Sequence, residues 1–130
     1  MSSRIESFEE FWPFYVRQHS KKLTRQLHFA GTTLAVGCAA AGLATRRGWL
    51  LLLAPALGYG PAWLSHFLVE KNRPATFSYP AWSLAADFIM WGKTLAGTMD
   101  DEVTAVLEVD RARVVSSEPR TNMATDGSLN

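Results

Sequence analysis

The strongest constraint on this chain is a pair of long stretches without charged side chains, residues 27–44 and 49–69. A run of about 18 or more apolar residues is long enough for an α-helix to cross the ~30 Å hydrocarbon core of a bilayer. A chain of 130 residues forms one domain at most. Two such runs in succession are difficult to bury inside so small a protein, and the sequence therefore predicts an all-α integral membrane protein.

We expect a helical bundle of about three transmembrane helices. The first runs from about Leu23 to Ala44 and is rich in Gly and Ala, which let neighbouring helices approach closely in lipid. The second runs from Trp49 to Val69, with a bend expected near residues 58–61, where Gly and Pro are concentrated. The third runs from Trp82 to Met99 and is interrupted by Asp87 and Lys93.

An additional helix is expected before the first span, over residues 8–20. Ser7 and Glu10 have the spacing of a capping box, which marks a helix start. Phe8, Phe11, Trp12, Tyr15 and Val16 follow at helical spacing, and aromatic residues favour the headgroup zone. We interpret this segment as an interfacial amphipathic helix. The alternative is the first helix of a soluble bundle.

The composition limits the remaining possibilities. Residues 1–115 are expected to form a single membrane-embedded helical domain, and residues 116–130 a disordered polar tail. The acidic residues near the start do not fit a cleavable signal peptide. A net charge of +1 argues against nucleic-acid binding, and Cys38, the sole cysteine, cannot form an internal disulfide.

The basic residues predict the orientation. With three spans, the N-terminal segment and the loop 70–81 share one side of the membrane. That side carries more Lys and Arg than the other, which has Arg46 and Arg47 and, further off, Arg111 and Arg113. The positive-inside rule places this more basic side in the cytoplasm. The membrane would be the inner membrane in a bacterium or the endoplasmic reticulum in a eukaryote.

Polar residues beside the spans mark a candidate site. His19, His28 and His66 are the three histidines of the chain, and three spans place them on one side of the membrane at similar depth, together with Glu70 and Asp87. Ionisable groups at membrane depth are costly and often functional. Three imidazoles with nearby carboxylates suit Fe(II), Zn or Mn. The alternative is that these are interfacial side chains hydrogen-bonded to carbonyls, with Asp87 serving as a helix-packing contact.

Two segments resemble a known family. One runs from Phe14 through His19 and His28 to Thr32, and the other is the stretch from Ser65 to Ala75, with its His-x-x-x-Glu-x-x-x-Pro-Ala element. Together they are similar to the 2-hydroxy fatty acid dioxygenase family over roughly residues 8–95. Fungal members of that family are endoplasmic-reticulum proteins of phytosphingosine breakdown.

The resemblance implies an Fe2+-dependent α-oxidation that uses O2 to shorten a 2-hydroxy fatty acid by one carbon, releasing CO2. By position, the iron ligands are His19, His28 and His66. The expected catalytic residues are Glu70, as a further ligand or as a group that orients His66, and Asp87, as a hydrogen-bond partner of a ligating imidazole.

The expected substrate-binding residues lie in the same two segments. Arg25 or Arg73 could pair with the substrate carboxylate, because a guanidinium binds a carboxylate bidentately. Asn72 is expected to shape the loop over the site. The acyl tail would lie between the small-residue faces of the first two spans.

Two other functions remain open. One is a non-catalytic membrane module, either a packing subunit or a lipid-binding protein, and the other is a zinc-dependent lipid hydrolase. The Gly/Ala face of the first span could also pair with a second copy, which would make the protein a homo-oligomer.

Overall fold

The structure, a computed structural model, describes residues 4–119, and these residues form five α-helices and no strand. The helices are α1 (Phe8–Arg17), α2 (Lys22–Thr45), α3 (Gly48–Leu64), α4 (Pro80–Leu95) and α5 (Met99–Ser117). A π-helical turn, Ser65–Glu70, continues α3, and a 3-10 turn, Ala75–Phe77, precedes α4. The prediction of an all-α fold is confirmed. Of the expected tail 116–130, the first two residues belong to α5, and residues 120–130 lie outside the described part.

Helix α1 begins where the capping pattern predicts. The Ser7 hydroxyl accepts a hydrogen bond from the Glu10 N–H at 3.2 Å, which satisfies one of the free amides of the first turn. The apolar side of α1 is buried: Phe11, Tyr15 and Val16 belong to one hydrophobic core together with residues of α4 and α5. Protein therefore covers the face that the sequence assigned to the membrane interface.

Helices α2 and α3 form a tight antiparallel hairpin. Arg46 ends α2 in the left-handed conformation, with φ of 57°, and α3 starts two residues later. A Cβ at Gly31 would lie 3.0 Å from the Gly58 carbonyl oxygen, so the two backbones approach too closely for a larger residue. Gly37 has open space around it instead. The Gly31 side of α2 is therefore occupied by α3.

Among the described helices, α2 is the one that is long and apolar enough to cross a membrane. Only 17% of its most apolar 18-residue stretch is buried, whereas a core helix of a soluble protein would be mostly buried. Helices α3 and α4 have 17 and 16 α-helical residues and fall short of that length. Length and composition thus support one span, where the sequence predicted about three.

The polar segment after Gly97 is a helix that the sequence analysis did not predict. Gly97 has φ of 75° and lies between α4 and α5, where a left-handed residue lets the chain turn. Asp100, Asp101 and Glu102 occupy the first turn of α5, where negative charge is favourable for a helix. Met99 and Val103 then join the core of α1 and α4. The helix is held by tertiary packing more than by an amphipathic pattern.

Candidate metal centre

The three histidines of the chain meet at one point of the fold. His19 follows the end of α1, His28 lies in the second turn of α2, and His66 lies in the π-helical turn after α3. Their side chains are buried, and one ring nitrogen from each lies within 4.8 Å of the others. The sequence prediction that three imidazoles converge is confirmed. π-helical turns are rare and often occur at functional sites.

Backbone carbonyls orient two of the rings. The Nδ1–H of His19 donates to the Tyr15 carbonyl at 2.7 Å, and the Nδ1–H of His28 donates to the Thr24 carbonyl at 2.8 Å. In each case the acceptor lies four residues earlier. Because a carbonyl oxygen can only accept, the proton of each neutral ring must be on Nδ1. The Nε2 lone pairs of both rings are therefore free for another partner.

A side-chain amide orients the third ring. The Nδ1–H of His66 donates to the Asn72 Oδ1 at 2.7 Å. The amide is in turn anchored, because its Nδ2–H donates to the Gln18 carbonyl at 3.2 Å, which sets which end of the amide faces the histidine. Asn72 therefore links the turn that follows α1 to the π-helical turn. All three rings present an unprotonated Nε2.

This donor set fits a transition-metal ion. The Nε2 atoms of His19 and His28 lie 3.1 Å apart, although neither atom carries a proton that could form a hydrogen bond between them. Two facing lone pairs repel unless a cation lies between them. Two nitrogens bound to one ion at about 2.0–2.1 Å lie about 3.4 Å apart in a tetrahedral site, so ring nitrogens that already lie within 4.8 Å of one another need only a small inward movement. Histidines that bind metals through one nitrogen and donate through the other follow the same pattern.

Burial keeps the centre neutral. Desolvation lowers the pKa of His19 well below its ordinary value, and the neighbouring His28 and His66 lower it further. The ring stays deprotonated at neutral pH, which is the form that binds a metal.

The Tyr15 ring stacks on His19 with 4.0 Å between ring centroids. Burial also raises the pKa of Tyr15 well above its ordinary value, and nearby Asp87 raises it further.

Tyr15 connects the centre to a buried carboxylate. Its carbonyl accepts a hydrogen bond from His19, and its hydroxyl donates one to the Asp87 carboxylate. From the sequence, a direct contact between Asp87 and a ligating imidazole was expected. In the structure, the contact runs through Tyr15. The sequence did contain one indication of this link, because residues four apart, such as Tyr15 and His19, lie close together on a helical turn.

An apolar cavity of about 370 Å³ leads away from the centre between α2, α3 and α4. Its polar end contains His28 and Asp87, with Thr32 and Tyr59 nearby, and its lining is otherwise apolar. The small residues expected to accept an acyl tail line it: Ala35, Ala39, Ala54, Gly58 and Ala62. A cavity that is mostly apolar with a few polar groups at one end suits an amphiphilic ligand.

Glu70 lies beside the centre and is engaged elsewhere. One of its carboxylate oxygens accepts from the Lys21 backbone N–H at 2.7 Å. Lys21 is the N-terminal cap residue of α2 and has no side-chain cap. Glu70 thus joins the end of the π-helical turn to the start of α2.

The three expected substrate-binding residues have different surroundings. The buried Arg25 guanidinium donates to the carbonyls of His19 and Ser20 at 2.8 and 2.7 Å, and it pairs with Asp100 at 2.9 Å. Asn72 is used by His66, as described above. Arg73 is exposed and lies over the Phe77 ring, 5.2 Å from its centroid. None of these three residues lines the cavity.

Comparison with known proteins adds one finding. A family model described as "2-hydroxy-palmitic acid dioxygenase Mpo1-like" matches residues 5–99. The matched segment contains the three histidines, Asn72 and Asp87, and it ends where α5 begins. No curated protein and no solved structure matches the chain.

Proposed function

Because the chain belongs to the Mpo1-like family of 2-hydroxy-palmitic acid dioxygenases, we propose that it is a membrane-bound, Fe2+-dependent dioxygenase that shortens 2-hydroxy fatty acids by one carbon. The observation that carries this proposal is the arrangement of His19, His28 and His66. Three buried, neutral imidazoles converge at one point, and one of them, His28, lines the polar end of an apolar cavity. This is the arrangement that a metal-dependent reaction on a lipid requires.

The overall reaction needs no organic cofactor. A 2-hydroxy fatty acid and O2 give the fatty acid that is one carbon shorter, CO2 and water, so the substrate itself supplies all four electrons. The bond between the carboxyl carbon and the hydroxyl-bearing carbon breaks. Iron held by three imidazoles would supply open coordination positions and redox chemistry for O2. The chain has no dinucleotide-binding fingerprint, in keeping with this stoichiometry.

The cavity supports a specific substrate pose. Its polar end, with His28 and Asp87, would hold the carboxylate and the 2-hydroxyl group. The acyl tail would extend along α2 toward Ala39, which is about 16 Å from His28 at 1.5 Å per residue. Small side chains along this path leave room for methylene groups. Burial of the tail also excludes water from the reacting carbons.

Asp87 is proposed as the catalytic carboxylate. It lines the cavity beside His28 and would exchange a proton with the substrate hydroxyl or with the departing water. The Tyr15 hydroxyl holds this carboxylate in place. Glu70 is proposed to fix the positions of the metal ligands. Its carboxylate accepts a hydrogen bond from the Lys21 backbone N–H, which keeps the π-helical turn beside the turn that carries His19.

Arg25, Asn72 and Arg73 are proposed to support substrate binding in two ways. Arg25 and Asn72 hold the backbone and the imidazole that shape the polar end of the cavity. Exposed Arg73 would attract the carboxylate of an arriving fatty acid before it enters. A guanidinium is suited to that role because it binds carboxylates through two parallel hydrogen bonds.

The proposed location is a membrane, with the N-terminal segment and the loop 70–81 in the cytoplasm. The low burial of α2 supports this proposal, because its exposed apolar surface would be costly in water. His28 near the start of α2 and His66 just after α3 would lie near one face of the bilayer, where a fatty acid would enter from the lipid.

The test is to purify the protein in detergent, load it with Fe2+ under anaerobic conditions and add 2-hydroxypalmitate and O2. We expect one iron per chain and equal amounts of O2 consumed and of the C15 fatty acid formed. His66→Ala should lose both iron and turnover, whereas Gln26→Ala, at an exposed position of α2, should retain both.

Three outcomes would contradict the proposal: turnover by His66→Ala at the normal rate, iron binding without loss of the substrate, or tight binding of zinc with ester or amide hydrolysis. The last would identify a zinc-dependent hydrolase. A protein that binds no metal and tolerates replacement of all three histidines would be a non-catalytic membrane module.

A further inference from the structure

Helices α1 and α5 lie on the same side of the molecule and are bound to each other. The Trp12 indole Nε1–H donates to the Glu102 carboxylate at 2.7 Å, and Arg17 pairs with Asp110 at 2.7 Å. Between these polar contacts, Phe11 and the α5 residue Val103 share the hydrophobic core. A helix pair with this many joint contacts cannot be separated by a bilayer.

Helix α4 begins and ends at the same end of the α2–α3 hairpin. Just before α4, the Phe77 ring lies 5.2 Å from the ring of Trp63, at the C-terminal end of α3. Just after α4, Asp100 pairs with Arg25 at 2.9 Å, at the N-terminal end of α2. The C-terminal end of α3 and the N-terminal end of α2 are neighbours, because the two helices form an antiparallel hairpin. The segments before and after α4 are therefore both held at the open end of the hairpin, while Trp91 near the C-terminal end of α4 donates to the Thr33 hydroxyl of α2 at 3.0 Å.

The outer surface of the hairpin is apolar along its length. Residues 26–45 and 48–65 contain no charged side chain, and α2 alone is about 36 Å long at 1.5 Å per residue. Large side chains on this surface are exposed: Leu34, Leu43, Trp49, Leu52, Leu53 and Leu64. Such a surface is far larger than the apolar patches that soluble monomers expose.

Charge is divided sharply between the two ends of the hairpin. The turn carries Arg46 and Arg47, whereas the open end, with α1, α4 and α5, carries ten other basic residues of the described chain. Of these, Lys21, Lys22, Lys71 and Arg73 are exposed around the boundary between the hairpin and the other helices. Exposed ammonium and guanidinium groups at such a boundary complement anionic lipid headgroups.

We propose that the α2–α3 hairpin is the surface that enters a phospholipid bilayer, crossing it twice, while α1, α4, α5 and the histidine centre remain together at one face. With 17 residues, α3 is at the lower limit of the length of a transmembrane helix. The contact between α1 and α5 requires an even number of crossings, and the three spans predicted from the sequence give an odd number. Arg111 and Arg113 then join the basic side, which strengthens its assignment to the cytoplasm. The inference rests on the membrane location proposed above and is independent of the reaction.

The test uses single cysteines and a membrane-impermeant maleimide. In a Cys38→Ser background, three exposed positions receive a cysteine: Glu9→Cys in α1, Thr45→Cys at the hairpin turn and Glu108→Cys in α5. The full chain is expressed in bacterial cells, and labelling is compared between intact spheroplasts and inverted inner-membrane vesicles. Carbonate extraction of the same membranes checks that the protein is integral.

We expect Glu9→Cys and Glu108→Cys to be labelled in inverted vesicles, and Thr45→Cys in spheroplasts. If Glu108→Cys and Thr45→Cys were labelled from the same side of the membrane, α4 would have to cross the bilayer, and the proposal would be overturned. Labelling of all three from one side, or release by carbonate, would equally overturn it. These outcomes do not depend on iron or turnover, so failure here is distinguishable from failure of the dioxygenase assignment.

Discussion

The Nε2 atoms of His19 and His28 face each other at 3.1 Å while both rings donate their Nδ1 protons to backbone carbonyls. Neither ring can turn to relieve this approach without breaking a buried hydrogen bond, which would cost about 1–3 kcal/mol. The helix geometry that places each acceptor four residues before its histidine therefore maintains an arrangement that favours a cation. The centre is prepared for a ligand by the folding of α1 and α2.

Metal removal should destabilise the protein. A ligand present at 100 times its dissociation constant stabilises the folded state by about 2.7 kcal/mol. We expect the melting temperature in detergent to fall when iron is chelated and to recover when Fe2+ is added under anaerobic conditions. His28→Ala should show no response to either treatment. An equal melting temperature with and without the metal in the unmodified protein would contradict this prediction.

Replacing Asn72 should weaken metal binding without removing a ligand. Asn72→Ala takes away the acceptor that orients His66, and loss of such a partner typically costs 10–100-fold in metal affinity. Asn72→Asp retains an acceptor oxygen and should recover part of the loss. The measurement is a titration with Fe2+ or Co2+. Affinity unchanged in Asn72→Ala would show that the amide does not orient the ligand.

Enlarging Gly31 should disrupt the hairpin, and enlarging Gly37 should not. A Cβ at Gly31 would lie 3.0 Å from the Gly58 carbonyl oxygen, whereas a Cβ at Gly37 would meet nothing within 4 Å. Overpacking of this kind costs about 1–3 kcal/mol. We expect Gly31→Ala to lower the thermal stability in detergent and Gly37→Ala to leave it unchanged. The two variants melting alike would contradict the close approach of α2 and α3.

Filling the far end of the cavity should change the preferred chain length. Ala39 lines the cavity, and Ala40, its neighbour on α2, is exposed. Ala39→Phe should reduce kcat/KM for 2-hydroxypalmitate about tenfold or more while sparing a shorter 2-hydroxy acid, because pocket contacts worth 1–3 kcal/mol are lost. Ala40→Phe is the matched control. A uniform loss at all chain lengths would indicate that the tail lies elsewhere.

Kinetics of an Arg25 variant should separate its two candidate roles. Arg25 donates to the carbonyls of His19 and Ser20 from a buried position. A lysine ammonium lacks the planar, fixed donor geometry of the guanidinium and cannot reproduce this pair of hydrogen bonds. We expect Arg25→Lys to lower the iron content and thermal stability together. A rise in KM with full iron content would instead identify Arg25 as a direct ligand of the substrate carboxylate. Arg73→Lys provides the comparison at an exposed position.

Local patterns predicted much of the secondary structure. The bounds of α2 differ by one residue at each end from those expected for the first span, because the long uncharged stretch between Arg25 and Arg46 has few other stable conformations near a membrane. The start of α1 followed from the Ser7 cap. Helix α5 was missed because its apolar residues are spread around the helix and form no single face, and its Met99 and Val103 pack in the core with α1.

The site was predicted in part. The meeting of the three histidines followed from their positions relative to the spans and is confirmed. The roles of Tyr15 and Asn72 as partners of the rings were not predicted. Those roles depend on ring rotation and on hydrogen bonds between segments, to which sequence spacing is only weakly related.

The sequence by itself determined that the chain is helical, that α2 is apolar enough for a bilayer and that its histidines lie near segment ends, because hydrophobicity and helix periodicity are local properties. Only the tertiary structure decided that α1 and α5 are in contact, that the segments flanking α4 lie at the open end of the hairpin, and that each imidazole turns its free nitrogen inward. Those features depend on side chains from distant segments that compete for one buried space. Short sequence patterns therefore do not predict which side chains meet there.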